Sequence, residues 1–124
     1  MKEILVRRLV DCKEIIATDG TTLRELLHPD RSYDFGGRYS LAHASLESGA
    51  KSRAHRLESS EVYYILKGQA VMHIDRHSAR VGSGDAFEIP AGSIQWIENT
   101  GSMRLEFLCI VDPAWRAEHD KTLE

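Results

Sequence analysis

From residue 38 onward the chain is broken into short runs of β-branched, aromatic and aliphatic residues, with Gly, Pro, Asp and Asn recurring between them. That rhythm belongs to an antiparallel sandwich or barrel, because each apolar run is the length of a strand and each break supplies turn residues. The runs 38–46, 61–67, 69–75, 79–81, 86–89, 94–98 and 104–111 read as strands. The turns between them fall at Lys67-Gly68, Gly82-Ser83-Gly84-Asp85, Pro90-Ala91-Gly92 and Asn99-Thr100-Gly101. The fold class predicted is all-β.

The rest of the chain is less regular. ILVRRLV (4–10) has the composition of a strand, whereas TTLRELLHPD opens like a capped helix, with Thr21 or Thr22 ahead of LRELL. We read residues 1–37 as an N-terminal arm, mainly extended, with room for one short helical turn. Residues 38–111 form the core. Asp112-Pro113 ends the last strand, and residues 112–124 are a polar tail anchored by Trp115. With 124 residues the chain is expected to be a single domain, large enough to bury a core without a disulfide or structural metal.

Charge narrows the partners. Sixteen Lys and Arg against nineteen Asp and Glu leave a formal charge of −3 and no basic run longer than Arg7-Arg8. Neither nucleic acid nor an anionic membrane is an expected partner. Cys12 and Cys109 lack a C-x-x-C spacing and sit in apolar, strand-like surroundings, where a free thiol acts as a small hydrophobe. Two arginines interrupt the apolar N-terminal stretch, so no export signal is read there and a reducing cytoplasm is expected.

Two blocks carry chemistry. In GAKSRAHRLESSEVYYILKG, Gly49, His55, Glu61 and Gly68 are spaced so that strand alternation puts His55 on the same face as Leu57, and Glu61 on the same face as Tyr63 and Ile65. In GDAFEIPAGSIQWIEN, Gly84, Pro90, Gly92 and Asn99 frame a turn running into a strand that carries Gln95 and Ile97 on one face. The fragment G-x5-P-x-G alone arises by chance about once in 4,000 positions. Both blocks together, in order, are far more specific.

These blocks resemble the paired motifs of the cupin superfamily, with Leu57 and Gln95 where the family pattern has histidines. The resemblance covers residues 38–111 and implies a jelly roll of the double-stranded β-helix type, in the manner of small single-domain cupins of the conserved-barrel kind. It also implies that His55, Glu61 and Gln95 converge at the barrel mouth and hold a divalent transition metal ion, Mn, Fe, Ni, Zn or Cu. Affinity is expected to be reduced, because an amide oxygen is a weaker donor than imidazole and leucine offers none. His43 and His73 are the candidates to replace a lost ligand, although alternation turns His73 outward.

Three functions follow as alternatives. In the first, the ion and a small oxygenated ligand, a sugar or a carboxylate, meet in a metal-dependent isomerase, decarboxylase or dioxygenase, with Glu61 and Tyr63 as candidate catalytic residues. In the second, the same pocket holds an organic ligand through His55, Glu61 and Gln95 without chemistry, with His55 and Glu61 as a hydrogen-bonded buried pair in a metal-free site. In the third, the pocket is a relic within a structural dimer. A homodimer is expected in any case, because EVYYILK and SIQWIEN are apolar on both strand faces.

Overall fold

A computed structural model describes residues 3–123, so the outermost residues of the arm and tail lie outside the described ones. The strands are β1 (Glu14–Ile16), β2 (Thr22–Leu27), β3 (Ser40–Leu46), β4 (His55–Leu57), β5 (Ser60–Lys67) and β6 (Gln69–Ile74). They continue with β7 (His77–Gly82), β8 (Ala86–Ile89), β9 (Ile94–Asn99), β10 (Leu105–Asp112) and β11 (Asp120–Thr122). Two antiparallel sheets result, one of six strands in the order β1-β2-β3-β10-β5-β8 and one of five in the order β11-β4-β9-β6-β7. Among the described residues there is no α-helix, and no helix is long and apolar enough to cross a membrane.

The inner faces of the two sheets meet in one core. Ala44, Tyr63, Ile65, Leu105 and Phe107 from the larger sheet pack with Ala70, Met72 and Ile97 from the smaller. Alternation explains the selection: on β5 Glu61, Tyr63 and Ile65 are buried while Val62, Tyr64 and Leu66 are exposed. Two motif residues serve the fold. Gly68 has φ +96°, and a Cβ there would lie 3.2 Å from Leu105 Cα and 3.3 Å from the Arg104 carbonyl. Asn99 is buried and donates to the carbonyls of Leu46 and Met103, both at 3.0 Å, while accepting from Gly101 N–H at 3.0 Å. It thereby pins the turn between β9 and β10.

The arm is mainly extended, as read from the sequence, but its details differ. The residues that open like a helix, TLRELL, form β2 and pair with β3. Thr21, which could have capped a helix, instead gives its hydroxyl and its N–H to Asp19 Oδ1, at 2.7 and 3.0 Å. The turn from Ala17 to Thr21 thus becomes a hairpin joining β1 to β2. The one turn of 3-10 helix in the arm lies upstream, at Leu9–Asp11, and residues 3–8 form no strand. The tail also departs from expectation. After Trp115 comes a 3-10 turn, Ala117–His119, and then β11, which pairs with β4 and so extends the smaller sheet.

Candidate functional site

Three strands set the site. β4 carries His55 and Leu57 inward, β5 carries Glu61 and Tyr63, and β9 carries Gln95, which lies directly opposite His55 in the β4–β9 register. His55, Glu61, Tyr63 and Gln95 are all buried. Gln95 links two of the others: its Nε2 donates to Glu61 Oε1 at 2.7 Å, and its Oε1 accepts the Tyr63 hydroxyl at 3.3 Å. His55 Nδ1 lies 3.2 Å from the Arg53 carbonyl and 3.8 Å from Asp19 Oδ2. A carbonyl can only accept, so in this contact Nδ1 carries a proton.

His55, Glu61 and Tyr63 border a cavity of about 460 Å³, whereas Gln95 is not among its lining residues. His55, Leu57, Glu61 and Tyr63 line it together with Leu23, Phe107, Cys109 and Val111 of the larger sheet. Desolvation dominates its electrostatics. Burial pushes the Glu61 carboxyl up to about 7; Gln95's hydrogen bond and the nearby His55 oppose the rise, while Asp19 and Asp120 add to it. Burial likewise pushes the Tyr63 hydroxyl and the Cys109 thiol well above their ordinary values, so both stay protonated at neutral pH. Cys109 is therefore a packing group here.

Asp19, Trp115 and Asp120 also line the cavity, and sequence reasoning missed Asp19 and Asp120. Asp19 arrives on the β1–β2 hairpin, and Asp120 arrives on β11. Asp120 Oδ2 accepts from Thr18 Oγ1 and from Trp115 Nε1, both at 2.9 Å, which fastens the arm, the tail and the cavity wall together. Neither carboxyl belongs to a motif. The Asp-Gly pair at 19–20 is a turn signal, but nothing local tells which site such a turn reaches.

His43 and His73 are placed elsewhere. His43 lies on the outer face of β3, its Nε2 3.0 Å from Glu106 Oε1, and lines a separate small groove. His73 stacks on Trp96 with ring centroids 3.5 Å apart and planes 7° from parallel. Both sit on the alternate residues to those that face the core.

The donors at the motif positions do not fit a multi-ligand ion centre as arranged. Leucine fills one position, the Gln95 oxygen is taken by Tyr63, and the Gln95 nitrogen, a donor only, faces Glu61. Among the described residues, no three His, Cys, Asp or Glu side chains gather as an ion would require.

Comparison with known proteins places this geometry in context. The sequence profile of the cupin domain matches residues 42–111. An uncharacterized protein of Methanocaldococcus jannaschii is 39% identical over 113 residues, covering 90% of this chain and 89% of that protein. An oxalate-binding protein of Thermotoga maritima is 35% identical over 71 residues, covering 56% of this chain and 59% of that protein. Among solved structures, a predicted oxalate decarboxylase of Thermotoga maritima superposes with a TM-score of 0.73 at 26% identity, over 86% of this chain and 97% of that one.

Proposed function

The chain belongs to the cupin domain family, and on that footing we propose that its barrel binds a small oxygenated organic molecule through hydrogen bonds to Glu61 and His55, without a resident ion. One observation carries the reading: the Tyr63–Gln95–Glu61 chain of hydrogen bonds, which turns an amide N–H toward Glu61 where the family pattern has a histidine. Oriented this way, Gln95 holds the Glu61 carboxyl in place and supplies it with no competing charge. A carboxyl held near neutrality in an apolar cavity can donate to a ligand's carbonyl when protonated and accept from its hydroxyl when ionised.

The chemistry this supports is proton exchange at a bound oxygen, with Glu61 as the exchanging group and Tyr63 orienting it through Gln95. Of the reactions suggested by the family resemblance, isomerisation of an oxygenated compound asks for that step. The names of the Thermotoga relatives point to a carboxylate-sized ligand as an alternative occupant of the same cavity. Calorimetric titration of chelator-treated protein with a panel of small hydroxy and oxo compounds tests the reading. Binding that persists in chelator and weakens at least tenfold in Glu61→Ala, with Glu61→Gln retaining more, is expected. Binding that appears only after manganese or zinc is added would overturn it.

A further inference from the structure

Resting on the reading that His55 meets the ligand, we propose that Asp19 is a positioning residue that fixes which ring nitrogen of His55 carries the proton, and with it the kind of ligand group that His55 answers. Asp19 lies outside both sequence motifs and reaches the site on the turn between β1 and β2. It is buried, as His55 is, and the two border the same cavity.

The turn holds the Asp19 side chain in one place. Ala17 N–H donates to the Thr21 carbonyl at 2.8 Å and Gly20 N–H to the Ala17 carbonyl at 2.9 Å, which closes the turn. Asp19 Oδ1 accepts from Thr21 twice, from the peptide N–H at 3.0 Å and from the hydroxyl at 2.7 Å. With Oδ1 committed, Oδ2 is the oxygen beside His55, 3.8 Å from Nδ1. The main chain makes a second link. The Asp19 carbonyl accepts from Arg53 N–H at 2.7 Å, and the Arg53 carbonyl in turn lies 3.2 Å from His55 Nδ1. One residue therefore anchors the peptide that His55 contacts and places a carboxyl beside the same ring nitrogen.

Both groups at Nδ1, a carbonyl and a carboxylate, can only accept. At 3.8 Å the carboxylate is too distant for a hydrogen bond, but between buried groups its attraction for an N–H is weakly screened. A bare Nδ1 would turn its lone pair toward two acceptors. The other polar motif residues are engaged with one another, Gln95 with Glu61 and Tyr63 with Gln95, so neither supplies Nδ1 with a donor. A neutral imidazole has one N–H and one lone pair. With the N–H fixed at Nδ1, Nε2 of the neutral ring is an acceptor, which a ligand hydroxyl answers and a ligand carbonyl does not.

Long-range proton–nitrogen NMR spectra of the imidazoles test this on the whole protein without any ligand, because protonated and bare ring nitrogens resonate far apart. The His55 signals are those lost in His55→Gln. Parent and variants are compared at one pH on the alkaline plateau of the ring's titration, so that Glu61 acts on each alike. The parent is expected to carry the proton on Nδ1. In Asp19→Asn the amide oxygen can keep both Thr21 bonds, which puts an N–H donor where Oδ2 stood. The ratio of Nδ1–H to Nε2–H rings should then fall at least about tenfold, with the thermal midpoint reporting that the fold is kept. Asp19→Ser, whose hydroxyl can still accept from the Thr21 peptide, should lower the ratio in the same direction. Arg53→Ala removes an exposed side chain and leaves the peptide in place, and should match the parent. A bare Nδ1 in the parent, or the parent's ratio in a folded Asp19 variant, would overturn the role of Asp19. A shift in Arg53→Ala as large as that in Asp19→Asn would overturn it too, since any disturbance nearby would then do the same. None of these results bears on whether the pocket binds a ligand, which its own compound panel decides.

Discussion

Glu61 is where burial and chemistry compete most openly. Its carboxyl is held at about 7 against an ordinary 4.5, so between those values the folded chain binds a proton that the unfolded chain does not. Stability from this group is therefore complete below about pH 4.5 and lost as the pH rises through 7. The full difference amounts to about 3 kcal/mol. Glu61→Gln keeps an acceptor for Gln95 and removes the titration, so denaturant midpoints of the variant should lose the parent's fall between pH 5 and 8. A variant with the parent's pH profile would show that Glu61 is not the group responsible. A second residue-scale test concerns the ligand positions. Leu57→His with Gln95→His adds two imidazoles to His55 and Glu61, and should raise affinity for manganese or zinc at least a hundredfold by calorimetry. Equal affinity in parent and double variant would mean that positions 57 and 95 do not face a common point with His55. The spacing of His55, Leu57, Glu61, Tyr63 and Gln95 was legible because strands alternate faces. The hydrogen-bond chain was not, because the direction of an amide is decided by the groups it meets.

Elements were legible where one face of a strand is buried. β5, β6, β9 and β10 all bury alternate residues, although β5 and β9 are apolar on both faces in the sequence, so there the strand was legible and its buried face was not. β11 could not be read that way: Asp120, Lys121 and Thr122 have no apolar alternation, and their extended form comes from the edge that β4 offers. β2 was ambiguous for the opposite reason, since LRELL suits either period and pairing with β3 decides it. The tail's role follows from its position. It supplies Trp115 and Asp120 to the cavity and flanks the three-residue strand that carries His55. Ending the chain at residue 113 should lower the thermal midpoint, raise amide exchange in residues 55–57 and weaken ligand binding at least tenfold. Unchanged exchange there would mean that β9 alone holds β4 in place.

At the scale of the molecule, the outer face of the larger sheet is the unresolved surface energy. Val62, Tyr64, Leu66 and Ile110 are each 37–41% exposed on neighbouring strands. β1 and β2 extend this sheet beside β3 without covering that face. The arm adds Ile4 at 88%, Val10 at 80% and Ile16 at 70% exposure. Trp96, by contrast, is covered within the chain by His73, with Lys51 over its ring. A second copy pairing on the larger sheet, with the arm laid across it, would bury both apolar sets in one closed interface. Light scattering at micromolar concentration should give twice the 14.0 kDa of one chain, and Tyr64→Lys should shift it toward one. A parent mass near 14.0 kDa would remove the case for the pair. Elemental analysis of protein purified in the absence of chelator tests whether the cupin barrel binds its ligand without an ion. Fewer than about one divalent ion per ten chains is the predicted result, since arranged imidazole and carboxylate donors are what retain such ions through purification. A stoichiometry near one ion per chain, lost together with ligand binding in His55→Ala, would contradict it.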